Sequence, residues 1–246
     1  MKKKIGIKGV ILAGGKGTRL SPLTKATNKI LLPVYNKPMI YYPIENLVRA
    51  GVENIIIVSA REHAGNFINL LGSGKEFGAK IEYTVQEEPK GIAHALSIAE
   101  DFVDGDNVIL NLGDNIILDD VSEEVRKFRG GATIFLKKVD SPSAFGVPVF
   151  RGKEIVAIEE KPKRPKSHYA VTGLYIYDNT VFEKIRTLKP SKRNEIEITD
   201  LNNLYIKDGT LRYAYLKKEW SDAGTFDSLF ETSKMMRDIA KRQKRG

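Results

Sequence analysis

Short apolar runs rich in β-branched residues recur along the chain, and between them apolar positions repeat every three to four residues. Residues 8–13 form the first run, which stops at Gly14-Gly15. Residues 38–50 carry Ile40, Tyr41, Ile44, Leu47 and Val48 at helical spacing and close on Gly51, which predicts a helix. Ile55-Ile56-Ile57-Val58 is apolar at every position, the mark of a strand covered on both faces. A helix over 62–71, a strand over 80–86, a helix over 92–102 and a strand over 107–112 follow. The stretch 29–35, with Ile30, Leu31, Leu32 and Val34, fits either a short strand or a packed loop. Strand and helix in steady alternation predict an α/β fold, with a mostly parallel central sheet flanked by helices. The rhythm changes after about residue 130, where strand-like runs at 132–139, 146–150, 155–160 and 169–177 succeed one another. Helices over 179–188 and 198–207, a strand over 211–217 and a helix from about 225 complete the chain. One domain is expected: an α/β half to about 130, an inserted lobe with a returning strand over about 131–225, and a closing helix and tail over 226–246.

Composition narrows the classes. With 246 residues, 41% hydrophobic and 29% charged, the chain matches a globular protein with a sizeable core. No apolar run approaches the roughly 18 residues of a membrane helix, and the run after the N-terminal lysines is too short for a secretory signal. A cytoplasmic protein is the expectation. The absence of cysteine excludes disulfides and thiolate chemistry, and three scattered histidines make a zinc site a poor fit. The formal charge of +9 raises nucleic-acid binding as a question. The excess sits at the two ends: Lys2, Lys3, Lys4 and Lys8 at one, and Lys234, Arg237, Lys241, Arg242, Lys244 and Arg245 against Asp238 at the other. The body between them is neutral, so neither nucleic acid nor a membrane surface is an expected partner.

Candidate chemistry gathers where predicted strands end. After the first strand comes Gly14-Gly15-Lys16-Gly17-Thr18-Arg19. Glycines so spaced let backbone N–H groups close around an anion. The dinucleotide pattern fails at Leu20, where a glycine is required, and the P-loop pattern fails because Gly17 follows Lys16. What remains is a glycine loop with cationic Arg19 and Lys29 nearby, suited to a polyphosphate and equally readable as a tight turn. Asp114 follows the strand at 107–112, at the edge where open α/β sheets bind ligands, and could hold magnesium. Asp222 precedes the last helix, and a helix cap is the alternative there. Glu160-Lys161 offers an acceptor for hydroxyls beside a cation for phosphate. Gln86 ends a strand with an amide that could match a pyrimidine edge.

Together these segments resemble the glucose-1-phosphate thymidylyltransferases, a branch of the sugar nucleotidyltransferases. The resemblance rests on LAGGKGTRL at 12–20, LLPVYNKPMIYY at 31–42, LGDN at 112–115, EEKP at 159–162, AVTGLY at 170–175, EIEITD at 195–200 and GTFDSL at 224–229. It covers nearly the whole chain. It implies a nucleotide-binding half followed by a sugar-binding lobe, and a reaction of dTTP, or UTP as the sister specificity, with a sugar 1-phosphate. Leu12, Gly14, Gly15, Gly17, Thr18, Gln86 and Gly91 would bind the nucleotide. Arg19, Lys29, Lys161 and Arg193 would be the catalytic cations, the first two on the departing pyrophosphate and the last two on the sugar phosphate. Asn115, Gly146, Glu160 and Val171 would line the sugar pocket, and Asp114 with Asp222 would bind Mg2+. Ile30 stands where the family usually has a glutamine, Phe145 where it has a tyrosine, and Ser221 and Ala223 flank the aspartate in place of Leu and Thr. Many relatives continue with further C-terminal helices, so regulation is left open and a homo-oligomer is allowed.

Overall fold

The computed structural model describes residues 6–243; Lys2, Lys3, Lys4, Lys244 and Arg245 of the basic ends lie outside them. In chain order the first half comprises β1 (Ile7–Ala13), β2 (Pro33–Val34), β3 (Lys37–Pro38), α1 (Tyr41–Arg49), β4 (Asn54–Ala60), α2 (Ala64–Leu71), β5 (Lys80–Gln86), α3 (Ile92–Ser97), α4 (Glu100–Val103), β6 (Asn107–Leu112) and β7 (Asn115–Ile117). The second comprises α5 (Ser122–Lys127), β8 (Ala132–Lys138), β9 (Gly146–Arg151), β10 (Glu154–Glu160), β11 (Tyr169–Tyr177), α6 (Val181–Thr187), α7 (Ile198–Lys207), β12 (Leu211–Tyr215), β13 (Trp220–Asp222) and α8 (Phe226–Gln243).

The order β5-β4-β1-β6 is parallel throughout. It forms one side of a nine-stranded sheet among the described residues, and β11 joins β6 antiparallel. Successive residues of a strand point to opposite faces, and both faces here are covered. Ile55 and Ile57 enter one core with α1 and α2, while Ile56 and Val58 enter a second core with α3, α6 and α7. That is why β4 is apolar at four consecutive positions. The expected mostly parallel sheet between helices is therefore present. Beyond β6 the sheet becomes mixed, with β8 antiparallel to β11 and β12 parallel to β8. A register shift between Val171 and Tyr175 bends β11, so that its first half meets β9 at Val171 opposite Gly146 while its second half stays on β6. The bend lies beside the carboxyl end of β6, where Asn111 pairs with Leu174.

One expectation is met in part, one is corrected and one element goes unannounced. The stretch 29–35 is a one-turn 3-10 helix, Lys29–Leu31, running into the β2–β3 hairpin. The helix expected over 92–102 is broken into α3 and α4 at Ile98-Ala99. The ribbon β7–β13 has no counterpart in the sequence reading. Among the described residues no helix is long and apolar enough to cross a membrane.

Candidate active site

Polar groups converge where β1, β5 and β6 end. Past Ala13 the chain turns through Gly14, Gly15 and Gly17. Gly17 has φ 62°, and a Cβ there would lie 2.7 Å from Thr24 Cγ2; the Thr24 hydroxyl donates to the Gly17 carbonyl at 3.0 Å. Only glycine suits that turn. A Cβ on Gly14 would come within 2.6 Å of Gln86 Oε1, so the glycine loop and the end of β5 stand face to face. Leu12 completes the floor, its carbonyl accepting from the Gly113 N–H at 3.0 Å. Thr18 and Arg19 lie in the 3-10 turn Thr18–Leu20. Lys29 is set by Asn28, a buried residue whose side chain accepts from Ile30 N–H at 2.9 Å and donates to the Ala13 carbonyl at 2.9 Å. Ile30 turns the other way, into the core, and is 1% exposed.

The acidic pair is brought together by the β7–β13 ribbon. Asp222 pairs with Asn115, and the Ala223 N–H donates to the Asp114 carbonyl at 2.9 Å. Asp222 is therefore a strand residue and no helix cap; Thr225 and Ser228 cap α8 between themselves, with Ser228 N–H donating to Thr225 Oγ1 at 3.2 Å. Lys29 Nζ forms an ion pair with Asp114. Burial opposes the charge on both partners, yet each overcomes it for the other: the Asp114 carboxyl is held below its usual range and the Lys29 ammonium above. Among the described residues Asp222 has no ion pair of this kind. Burial, and then the Asp114 charge, push its carboxyl up to about 6, against the pull of Lys29 and Arg19. A Cβ on Gly224 would meet both Asp222 Oδ1, at 2.7 Å, and Arg19 Nη2, at 2.8 Å, so the guanidinium lies beside the second carboxylate. Two buried carboxylates sharing one bonded ammonium leave unmet demand for positive charge. Among the described residues no group of three or more His, Asp or Glu could hold an ion alone. An oxygen-only pair that must borrow further oxygens from a ligand fits magnesium held between a protein and phosphates.

A second set of residues comes from β9, β10, β11 and α7. On α7, Thr199 and Asn203 share one face. Asn203 brackets the backbone of Ile158, accepting from its N–H at 2.9 Å and donating to its carbonyl at 3.0 Å. That clamp sets α7 against β10, and Thr199 then donates to Glu160 Oε2 at 2.6 Å. Gly146 is opposite Glu160 in β9 and next to Val171 in β11. Asn115 links the two sets: it donates to Asp114 at 3.1 Å and accepts from Gly173 N–H at 2.9 Å and Trp220 Nε1 at 2.7 Å. Phe145 packs edge-on against Trp220, ring centroids 5.1 Å apart. Lys161 has a left-handed backbone, φ 45°, which turns it out of β10, and its Nζ is 3.6 Å from Glu160. Such strain in a non-glycine residue persists only where surroundings enforce it. Arg193 is engaged with Glu160 at 3.1 Å and Glu197 at 2.9 Å. Gly91 has a packing reason of its own: at φ 101°, a Cβ would lie 2.6 Å from the Ile196 carbonyl. Ser221 holds β13 to α8 through Thr232.

The structure thus groups the sequence-predicted residues around the ends of β1, β5, β6 and β10, with Arg193 tied to Glu160 and Glu197. Asn28, Thr199, Tyr175 and Trp220 belong beside them and were not singled out. Tyr175 is buried near Glu160, Asp114 and Asp222, and burial, then those three charges, raise its phenol.

A glycine loop and an acidic pair at the sheet edge suit a nucleotide-transferring enzyme, and residues 8–239 match the nucleotidyl transferase family, to which the chain belongs. Within it, the chain is 47% identical over 240 residues to the glucose-1-phosphate thymidylyltransferase of Neisseria meningitidis, covering 95% of this chain and 83% of that protein. It is 46% identical over 243 residues to that of Mycolicibacterium smegmatis, covering 96% and 84%. Among solved structures, a Bacillus anthracis protein provisionally named as such an enzyme, in complex with sucrose, superposes with TM-score 0.91 at 49% identity, over 95% of this chain and 96% of that one. A UDP-glucose pyrophosphorylase complexed with UDP-glucose superposes with TM-score 0.84 at 27% identity, over 95% and 100%.

Proposed function

We propose that this enzyme joins dTTP to α-D-glucose 1-phosphate, giving dTDP-glucose and pyrophosphate. The observation that carries the reading is the convergence of Lys29, Arg19, Asp114 and Asp222 at the mouth of the glycine loop, in a chain 44–47% identical to enzymes so named. An oxygen of the sugar phosphate attacks the α-phosphorus in line, and the bond to the β-phosphate oxygen breaks as pyrophosphate leaves with the electron pair. A phosphate is already an anionic nucleophile, so alignment and charge neutralisation supply the catalysis. The loop N–H groups of Gly14, Gly15 and Gly17, with Leu12 and Thr18, seat the triphosphate, and Gln86 and Gly91 lie on the base side. Arg19 and Lys29 neutralise the leaving pyrophosphate. Asn115, Gly146, Val171 and Glu160, the last oriented by Thr199, receive the sugar, and Lys161 and Arg193 receive its phosphate. Asp114 and Asp222 would hold Mg2+, which when bound withdraws charge from the phosphate oxygens.

The test is pyrophosphate release from each common nucleoside triphosphate with glucose 1-phosphate, with and without magnesium. Release favouring dTTP, absent without magnesium and lost in Asp114→Ala, is expected. Release with UTP alone would keep the chemistry and move the base preference. No release with any nucleotide across several sugar phosphates would refute the reading.

A further inference from the structure

The two cations assigned to the sugar phosphate rest against one carboxylate oxygen. Glu160 Oε1 lies 3.1 Å from Arg193 Nη2 and 3.6 Å from Lys161 Nζ, while Oε2 accepts from Thr199. Glu160 is also proposed to receive the sugar, so it cannot keep Arg193 in place once that ligand arrives. A second carboxylate can. Glu197, at the head of α7 and 8% exposed, accepts from Arg193 Nε at 3.1 Å on one oxygen and from Nη2 at 2.9 Å on the other. A guanidinium only donates and a carboxylate only accepts, so this paired contact has a single sense and fixes the plane of the fork. Nη2 serves both carboxylates, one hydrogen to each. The far edge of the fork, Nη1 with Nη2, is therefore turned toward Glu160 and the sugar side.

We infer that Glu197 is the positioning residue that holds Arg193 for the sugar phosphate, and that Glu160 is the partner Arg193 exchanges for that phosphate. The inference rests on the proposed role of Arg193. Glu197 suits the task because its own place is fixed from both sides. Before it, Ile196 N–H donates to the Lys90 carbonyl at 2.7 Å, and the Ile196 carbonyl accepts from Ala93 N–H at 3.2 Å. After it, the Glu197 carbonyl accepts from Leu201 N–H at 3.3 Å. Arg193 sits in a closed turn. Ser191 N–H donates to the Glu195 carbonyl and Asn194 N–H to the Ser191 carbonyl, each at 2.8 Å, and Asn194 is left-handed at φ 60°. Ser191 ties turn to carboxylate, its hydroxyl accepting from Arg193 N–H at 3.2 Å and donating to Glu197 Oε1 at 2.6 Å. Without the Glu197 charge, the counter-charges left to the guanidinium are Glu160 and, at 3.9 Å, Glu195. Arg193 would then compete with the sugar for Glu160.

The experiment measures kcat and KM for glucose 1-phosphate and for dTTP, with magnesium, in the wild type, Arg193→Ala, Glu197→Gln and the double variant. Loss of a hydrogen bond to a charged group corresponds to roughly ten- to a hundred-fold in affinity. Arg193→Ala is expected to raise the glucose 1-phosphate KM by that factor, and Glu197→Gln by the lower end of it, both with the dTTP KM unchanged. Added to Arg193→Ala, Glu197→Gln is expected to change neither KM further, because it acts only through the guanidinium. An unchanged glucose 1-phosphate KM in Glu197→Gln, beside a raised one in Arg193→Ala, would overturn the inference and leave the role of Arg193 intact. An unchanged value in Arg193→Ala would overturn both. The same loss from Glu197→Gln with Arg193 present or absent, or a raised dTTP KM, would reduce Glu197 to packing and overturn the inference as well.

Discussion

Asp222 is a carboxylate the folded protein holds at a disadvantage, and removing its charge should stabilise the metal-free enzyme while abolishing catalysis. Burial and the neighbouring Asp114 raise its carboxyl from the ordinary 3.8 to about 6. Between those values the folded state binds a proton that the unfolded state has released. Stability therefore falls as pH rises through the window from about 4 to 6, and the whole penalty is present above it. Two pH units at about 1.4 kcal/mol each amount to on the order of 3 kcal/mol. Asp222→Asn keeps the shape and the oxygen facing Gly224 but is neutral at every pH. In chelator at pH 8 the variant should be the more stable by up to that amount, a rise in melting temperature of roughly 6–12 °C for a chain of this size. The advantage should shrink as pH falls and vanish near pH 4. Magnesium with dTTP should stabilise the wild type and not the variant. Denaturation in chelator across pH, followed by melting with the ligands, measures both effects. Equal stability of the two proteins at pH 8, or a difference independent of pH, would refute the reasoning.

Lys29→Met should abolish pyrophosphate release and also destabilise the ligand-free protein by about 3–5 kcal/mol, since it leaves Asp114 buried without its partner; urea denaturation at pH 7 checks this, and the loss should fade in Lys29→Met/Asp114→Asn. Gly17→Ala meets both a left-handed backbone and Thr24, so a loss of about 1–3 kcal/mol with a raised dTTP KM is expected. Gly51→Ala has a similar positive φ, 86°, with open space around it, and should leave the dTTP KM alone. Thr199→Val removes the hydroxyl that orients Glu160 and should raise the glucose 1-phosphate KM about five- to ten-fold, with the dTTP KM unchanged in the same steady-state assay.

Much of this architecture is legible in the sequence because both faces of the parallel strands are buried. Ile55-Ile56-Ile57-Val58 and the helical spacing of α1 leave little choice of element. Glycines whose geometry is demanding, Gly14 and Gly17, are visible as a cluster. The features that escape are those set by distant parts of the chain. β7 and β13 have three residues each, too few for a two-residue period to register, yet they carry Asn115 and Asp222. The break at Ile98-Ala99 has neither glycine nor proline to announce it; Ala99 is fully buried, and its position is decided by packing. Thr199 looks like any helix-start threonine until Asn203, one turn on, clamps β10 and places Glu160 against it. Asn28 caps a one-turn helix that the sequence does not announce, and its hold on Ala13 is visible only in three dimensions.

The ribbon that seats Asp222 has a consequence for biogenesis. Its anchor from Trp220 to Asn115 spans 105 positions. A chain that stops short of Trp220 carries the segments of β1, β4, β5 and β6, with the glycine loop and Asp114, and yet owns only half of the acidic pair. Catalytic competence is thus withheld until β13 docks on β7, and translation products that end before Asp222 should compete for nucleotide without ever turning it over.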